Sequence, residues 1–195
     1  MERNDWMAIP NRKGKYSYAD YLTWGEGERV ELIGGEVFDM SPSPSRRHQK
    51  ILGELFTAFS VFLRDKECEV FFAPFDVRLY TENKQDDEID HVVQPDLSVV
   101  CDPNKLDDKG CIGAPDIIIE VLSPSSVKMD RWTKYQLYEK AGVKAYWVVD
   151  PVQGSVEIHH LADERYEFQG VYTEEDTVDV SVLTGMELVL SQIFV

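Results

Sequence analysis

The chain has 195 residues, of which 20 are Lys or Arg and 36 are Asp or Glu, so its formal net charge is −16. This length predicts a single domain, and 43% hydrophobic with 29% charged residues is typical of a packed globular protein, which excludes a disordered polyanion. The charge argues against a broad basic surface for nucleic acid, and no apolar run approaches the ~18 residues that a membrane span needs.

The three cysteines, Cys68, Cys101 and Cys111, are odd in number and widely spaced. This pattern predicts reduced thiols rather than a disulfide framework or a zinc site. The first residues of the chain have no apolar stretch after their charges, which argues against a secretory signal. Together these features predict a cytoplasmic protein.

The first predicted elements are a short helix and a β-hairpin. Ser17 and Asp20 have the spacing of a capping box, which opens the helix. Residues 28–33 and 36–40 then predict two strands, joined by a Gly-Gly pair that supplies the positive φ values of a tight turn. Glu31 in the first strand is either an outward-facing residue of an alternating strand or a site carboxylate.

An amphipathic helix is predicted next, over about residues 45–65. Its apolar residues recur at three- and four-residue steps, and Ser43 or Ser45 can cap its N-terminus. The segment 41–50 carries three basic residues and no acid. A basic helix N-terminus favours phosphate, and a solvated basic cap is the alternative.

Strands dominate the rest of the chain. The first, over about residues 68–80, is rich in Val, Phe and Tyr, and Pro74 within it indicates a bulge or an edge position. A helix between two later strands, beside a mixed sheet, predicts an α/β or α+β architecture in one domain. The later elements, separated by acidic loops at 81–91 and 102–110, are strands at 95–101, 114–123 and 144–150, a helix at 125–141 and a C-terminal β-hairpin.

Two acids are predicted on adjacent apolar strands. Glu120 lies inside IIIEVL, where an ionised carboxylate needs a metal ion, a lysine or an arginine, and a structural ion pair is the alternative. Asp96 starts the strand PDLSVV, where an ordinary turn aspartate is the alternative. Together they are typical of a site for a hard cation such as Mg²⁺. Asp116 lies about 13 Å before Glu120 along the strand, too far to share one ion easily.

Lys134 lies on the predicted 125–141 helix, with Asp130 one turn before it and Tyr138 one turn after. Because this helix directly follows the Glu120 strand, it can fold back and direct that face at Glu120. A surface Asp–Lys pair is the alternative. His48 falls on the apolar face of the long helix, where a histidine is more often a core residue than a ligand.

Four ordered segments carry a family resemblance: VELIGGEVFDMSPSPSRRHQKI, QPDLSVV, GAPDIIIEVLSPSS and DRWTKYQLYEKAGVKAYWVVDP. Together they resemble the Uma-two family of restriction-endonuclease-like proteins, in the PD-(D/E)XK nuclease superfamily. The resemblance runs from about Glu28 to Pro151 and continues more weakly into the C-terminal hairpin. It implies one restriction-endonuclease-like domain over residues 1–195, with a core at about 28–151 of order α-β-β-β-α-β.

The resemblance also implies an activity: a metal-dependent endonuclease that hydrolyses DNA phosphodiester bonds and acts as a homodimer. The cation would be Mg²⁺, with Mn²⁺ as the alternative. Asp96 and Glu120 match the motif acids and would be metal ligands and catalytic residues, and Glu31 would complete the shell. A catalytically inactive nuclease-fold module for binding or assembly is the second hypothesis.

The sequence departs from the superfamily pattern at the motif lysine. Two residues after Glu120, where that lysine is expected, the chain has Leu122. The resemblance implies that Lys134 on the following helix takes over the catalytic role, with Lys128 as the alternative. The remaining implied contacts are to the phosphate backbone of DNA, from Arg47, His48 and Gln49.

Overall fold

The computed structural model describes residues 14–24, 29–40 and 45–195. Ser43, one of the two predicted helix caps, lies outside these ranges. The helices are α1 (Tyr18–Tyr21), α2 (Arg46–Leu63) and α3 (Tyr135–Ala141), with a π-helical segment Met129–Lys134 that runs directly into α3 and 3-10 turns at Pro103–Lys105 and Leu190–Gln192. The strands are β1 (Val30–Ile33), β2 (Glu36–Asp39), β3 (Glu69–Phe72), β4 (Val77–Arg78), β5 (Val92–Val93), β6 (Leu97–Val100), β7 (Leu106–Asp107), β8 (Gly110–Ile112), β9 (Ile117–Val121), β10 (Ala145–Asp150), β11 (Ser155–Ala162), β12 (Arg165–Thr173), β13 (Thr177–Asp179) and β14 (Glu187–Val189).

The described strands form two six-stranded sheets and a two-stranded ladder. The first sheet has the order β2-β1-β5-β4-β8-β7, the second has the order β12-β11-β10-β9-β6-β3, and β13 pairs with β14. In the second sheet β9 and β10 are parallel and are linked by the π-helical segment and α3, whereas β6 pairs antiparallel with β9. The predicted α+β class with a mixed sheet flanked by helices is confirmed, with two mixed sheets where the sequence indicated one, because β4 and β8 in the first sheet are also parallel.

The long predicted helix and the hairpin before it both form. Ser45 caps α2, and its hydroxyl accepts a hydrogen bond of 3.1 Å from the backbone N–H of His48. The β1–β2 turn places Gly34 and Gly35 at φ +59° and +75°, as a tight hairpin turn requires. The apolar face of α2 packs on the second sheet, in a core that includes Leu55, Phe59, Leu97, Ile119 and Trp147.

The single strand predicted over residues 68–80 is wrong. The chain forms β3, at the edge of the second sheet, and then β4, inside the first sheet. The break contains Pro74, which has no N–H to donate to a ladder, so the chain leaves one sheet there and joins the other. The prediction that Pro74 marks an edge agrees with the position of β3.

The prediction of three reduced thiols is also wrong. Cys68 and Cys101 form a disulfide, and buried Cys111 is the free cysteine. The reason is register: Glu69 lies opposite Val100 in the β3–β6 ladder, so the residues just beyond, 68 and 101, also lie opposite each other. Sequence spacing alone does not show such a cross-strand neighbour.

No helix within the described ranges is long and apolar enough to cross a membrane. The cytoplasmic location stays a prediction. Of the three thiols that supported it, only Cys111 is free in the structure.

Candidate active site

A cavity of about 160 Å³ lies where residues of both large sheets meet. The first sheet contributes the wall at β1, and the second contributes the end of β9 and the residues before β6. The start of α2 and the π-helical segment complete it. Its buried and half-buried ionisable residues are Glu31, His48, Asp96, Glu120, Asp130 and Lys134, while Arg29 and Asp39 are exposed at its rim.

Lys134 joins the two sheets through a buried ion-pair cluster. Its Nζ lies 2.8 Å from Glu120 Oε1 and 2.9 Å from Glu31 Oε1. The hydroxyl of Tyr138, one turn further along the helix, donates to the same Glu120 oxygen at 2.9 Å. The helix therefore folds back on the Glu120 strand as predicted, and Glu31 faces inward rather than toward solvent.

The protonation states of this cluster follow from burial and charge. Burial raises the pKa of Glu120 well above its usual value, and the charges of Asp130, Asp96 and Glu31 raise it further against the opposing effect of Lys134. Burial alone would lower the pKa of Lys134, but the three surrounding carboxylates outweigh it and raise that pKa well above its usual range. These carboxylates therefore favour the ammonium form of Lys134, which donates hydrogen bonds.

Asp96 is only half-buried in the cavity, in contrast to Glu120. Its Oδ2 accepts a hydrogen bond of 2.8 Å from the backbone N–H of Val121 and lies 3.2 Å from His48 Nε2. Its own backbone N–H makes a long contact of 3.4 Å with Glu120 Oε2. These contacts fix the two motif acids beside each other across the β6–β9 pair.

His48 is a buried member of the site rather than a core histidine. Burial lowers its pKa, but the hydrogen bond and charge of Asp96 raise the pKa more, so that the net shift is upward. The imidazole thus helps to balance the negative charge of Asp96.

Asp130 adds a further buried carboxylate to the cavity. Burial raises its pKa to about 6, against the opposing effects of Lys134 and a hydrogen bond from Ser126. The cavity interior therefore holds four acids against one lysine and a histidine. Such an excess of buried acids over basic side chains favours a bound cation.

The remaining predicted residues lie outside this cluster. Arg47 and Gln49 are exposed on the first turn of α2, on either side of the buried His48. Lys128, the alternative to Lys134, is exposed and directly precedes the π-helical segment. The structure thus brings Lys134, and not Lys128, to Glu120.

Sequence reasoning missed Gln94. It lines the cavity, and its backbone N–H donates to Glu31 Oε1 at 2.9 Å. It lies two residues before Asp96, in the segment QPDLSVV, but neither its residue type nor its spacing marks it as a site residue in the sequence.

The donor set fits a divalent cation of the Mg²⁺ type. Asp96 and Glu120 offer adjacent carboxylate oxygens, and Val121 lines the same cavity. Within the described ranges no group of three or more His, Cys, Asp or Glu side chains is arranged to hold a metal by itself. Mg²⁺ ordinarily takes one or two carboxylates and keeps water or phosphate oxygens as its other ligands, so two carboxylates suffice.

The comparison with family models decides the family. Residues 18–191 match the model of the Uma2 family, described as "Putative restriction endonuclease". The chain belongs to the Uma2 family. The match spans both large sheets and every element of the cavity, and membership supports a nuclease-like function.

Two similar proteins come from Synechocystis sp. (strain ATCC 27184 / PCC 6803 / Kazusa). The uncharacterized protein slr1290 is 30% identical over 153 residues, covering 77% of this chain and 76% of the relative. The uncharacterized protein sll1609 is 26% identical over 152 residues, covering 75% of this chain and 81% of the relative.

A solved structure shows the same fold. It is a "putative nuclease belonging to DUF820" from Anabaena variabilis, with a TM-score of 0.72 and 21% sequence identity, covering 91% of this chain and 97% of that one. The restriction-endonuclease-like fold expected from the resemblance is therefore confirmed.

Proposed function

We propose that this Uma2 protein is a Mg²⁺-dependent endonuclease that hydrolyses DNA phosphodiester bonds, with Mn²⁺ as an alternative cation. The observation that carries the proposal is the convergence of Asp96, Glu120 and Lys134 in one cavity, from three separate elements. Family membership supports the nuclease class.

Asp96 and Glu120 would hold the cation, with Glu31 as a further acid beside them. When bound, the cation would polarise the scissile phosphate and lower the pKa of a coordinated water. The hydrogen bonds from Val121 to Asp96 and from Tyr138 to Glu120 fix the two carboxylates, which lowers the cost of ordering them on binding.

Lys134 would act as a hydrogen-bond donor. Its ammonium is held by Glu120 and Glu31, and its position on the cavity wall suits it to orient a water or to stabilise negative charge on the phosphate. This assigns to Lys134 the role of the superfamily lysine that Leu122 replaces. The exposed Arg47 and Gln49, with His48 behind them, would contact the phosphate backbone at the start of α2.

The test is metal-dependent cleavage of supercoiled plasmid, linear duplex and single-stranded DNA by the wild type and by the Asp96→Asn and Glu120→Gln variants. Both variants keep the shape of the side chain but lose the charge that a cation needs. We expect each to lower Mg²⁺-dependent cleavage by about 100-fold or more. The matched control is Asp116→Asn, at the other end of the same strand, which should cleave like the wild type.

Equal cleavage by the wild type and both site variants would contradict the assignment and point to a contaminating nuclease.

The second candidate is a nuclease-fold module without catalysis, which is favoured by the direct contact of Lys134 with Glu120 and by the lack of a three-residue metal group in the described part of the chain. Calorimetric titration with Mn²⁺ separates the two, because only the nuclease predicts binding that depends on both acids.

The homodimer implied by the resemblance stays a prediction. Light scattering during size-exclusion chromatography, with and without DNA, tests it directly.

A further inference from the structure

Gln94 has a side chain whose orientation is fixed from behind the cavity. Its Nε2 donates to Asp76 Oδ1 at 2.8 Å and to the hydroxyl of Tyr21 at 3.0 Å. The Tyr21 hydroxyl in turn donates to the same Asp76 oxygen at 3.1 Å. Because an ionised carboxylate only accepts hydrogen bonds, Asp76 decides which end of the amide faces it.

This orientation has a consequence for the other end of the amide. Asp76 and Tyr21 take both N–H groups of the planar amide, so the carbonyl oxygen is the polar atom that the Gln94 side chain has left to offer to the cavity that it lines. No described residue donates a hydrogen bond to that oxygen. The backbone N–H of the same residue is bonded to Glu31, which places the amide beside the acids of the site.

The chemistry of the cavity limits what this oxygen can bind. Both N–H groups of the Gln94 side chain are already bonded to Asp76 and Tyr21, so a phosphate group in the cavity would find no donor at this side chain. A neutral carbonyl oxygen suits a hard cation or a water coordinated to one. A neutral oxygen that hydrogen-bonds to a coordinated water orients that water and adds no charge to the site.

We infer that the Gln94 carbonyl oxygen accepts a hydrogen bond from a water coordinated to the divalent cation, and that Asp76 and Tyr21 are positioning residues that hold the amide in this orientation. The inference rests on the proposed cation site at Asp96 and Glu120. It extends that site through three further residues, from the loop before β6, the segment before β4 and α1.

The test is calorimetric titration of the intact chain with Mn²⁺, without DNA, alongside thermal unfolding of each variant. Gln94→Leu removes the oxygen, and Asp76→Asn removes the acceptor that orients it. We expect each to weaken Mn²⁺ binding by about 10- to 100-fold, the usual effect of losing an outer-shell partner. Gln169→Leu, an exposed glutamine on β12, is the matched control and should bind like the wild type.

A reversed pair separates orientation from general structure. In the double variant Gln94→Glu with Asp76→Asn, the donor and the acceptor exchange places, and a carboxylate oxygen still faces the cavity. We expect Mn²⁺ affinity to return at least to the wild-type value, whereas a purely structural role predicts that the double variant is no better than Asp76→Asn alone. This comparison also decides the question if Gln94→Leu fails to fold.

The outcomes distinguish this inference from the proposed function. If the wild type binds Mn²⁺ and Glu120→Gln does not, but Gln94→Leu and Asp76→Asn bind like the wild type, then the role of Gln94 is overturned and the cation site stands. If the wild type binds no Mn²⁺, the cation site and the role of Gln94 are both overturned.

Discussion

The two ends of β9 each hold a buried acid, and the two acids are balanced in different ways. Asp116, just before the strand, has an ion pair of 2.6 Å with Lys144 and accepts a hydrogen bond of 2.7 Å from the backbone N–H of Cys101. Lys144 keeps 64% of its side chain exposed, so this pair reaches solvent. Glu120, near the other end, shares the buried Lys134 with Glu31.

The difference shows that a buried acid does not by itself mark a functional site. Asp116 and Glu120 are equally buried, at 4% exposure each. Asp116 has a cation of its own, whereas Glu120 lies in a cavity where acids outnumber the available cations. The unbalanced charge, and not the burial, indicates a place for a metal ion.

Removal of each lysine tests this comparison most strongly. Lys134→Met leaves Glu120 and Glu31 without their shared cation, and we expect a loss of about 3–5 kcal/mol in the free energy of unfolding at neutral pH. Lys144→Met breaks a pair that reaches solvent, and we expect a loss of about 0–1 kcal/mol. Urea denaturation measures both.

Similar losses in the two lysine variants would contradict the distinction between the two ends of β9. In that case Lys144 would contribute to stability as a buried cation does, despite its exposure.

The effect of losing Asp116 sharpens the comparison on the functional side. Asp116→Ala leaves the backbone N–H of Cys101 without its acceptor, and we expect a loss of about 1–3 kcal/mol in the free energy of unfolding. Mn²⁺ affinity, measured by calorimetry, should not change. Weaker Mn²⁺ binding in Asp116→Ala would mean that both ends of the strand serve one site.

Local patterns made the helices and the hairpin predictable. The apolar spacing of α2, its Ser45 cap and the glycine pair of the first turn each depend on neighbours in sequence. The division of residues 68–80 between two sheets depends on distant partners, because β4 pairs with β5 and β8. The disulfide of Cys68 has the same kind of cause, since it follows from the β3–β6 register.

The two site residues that were predictable lie close together in the sequence, on a strand and on the helical segment that follows it. Glu120 stood out as an acid in an apolar strand, and Lys134 followed from helical spacing after that strand. Glu31 stayed undecided because an alternating strand gives no reason to prefer either face, and the lysine that it meets comes from a distant part of the chain. Gln94 had no local signal, because its role depends on Asp76 and Tyr21 in other elements.

Asp130 provides the smallest test, through the pH dependence of stability. Its pKa is about 6 in the folded protein, above the ordinary value of 3.8. Between about pH 4 and pH 6 the folded state therefore holds a proton that the unfolded chain has lost, so the stability that Asp130 contributes falls as pH rises. Asp130→Asn should flatten this decline in urea denaturation, whereas Glu175→Gln, an exposed acid, should leave it unchanged. If the pH dependence of stability is the same in Asp130→Asn as in the wild type, then Asp130 is ionised in the folded protein over this pH range. That result would contradict an excess of acids over basic groups in the cavity.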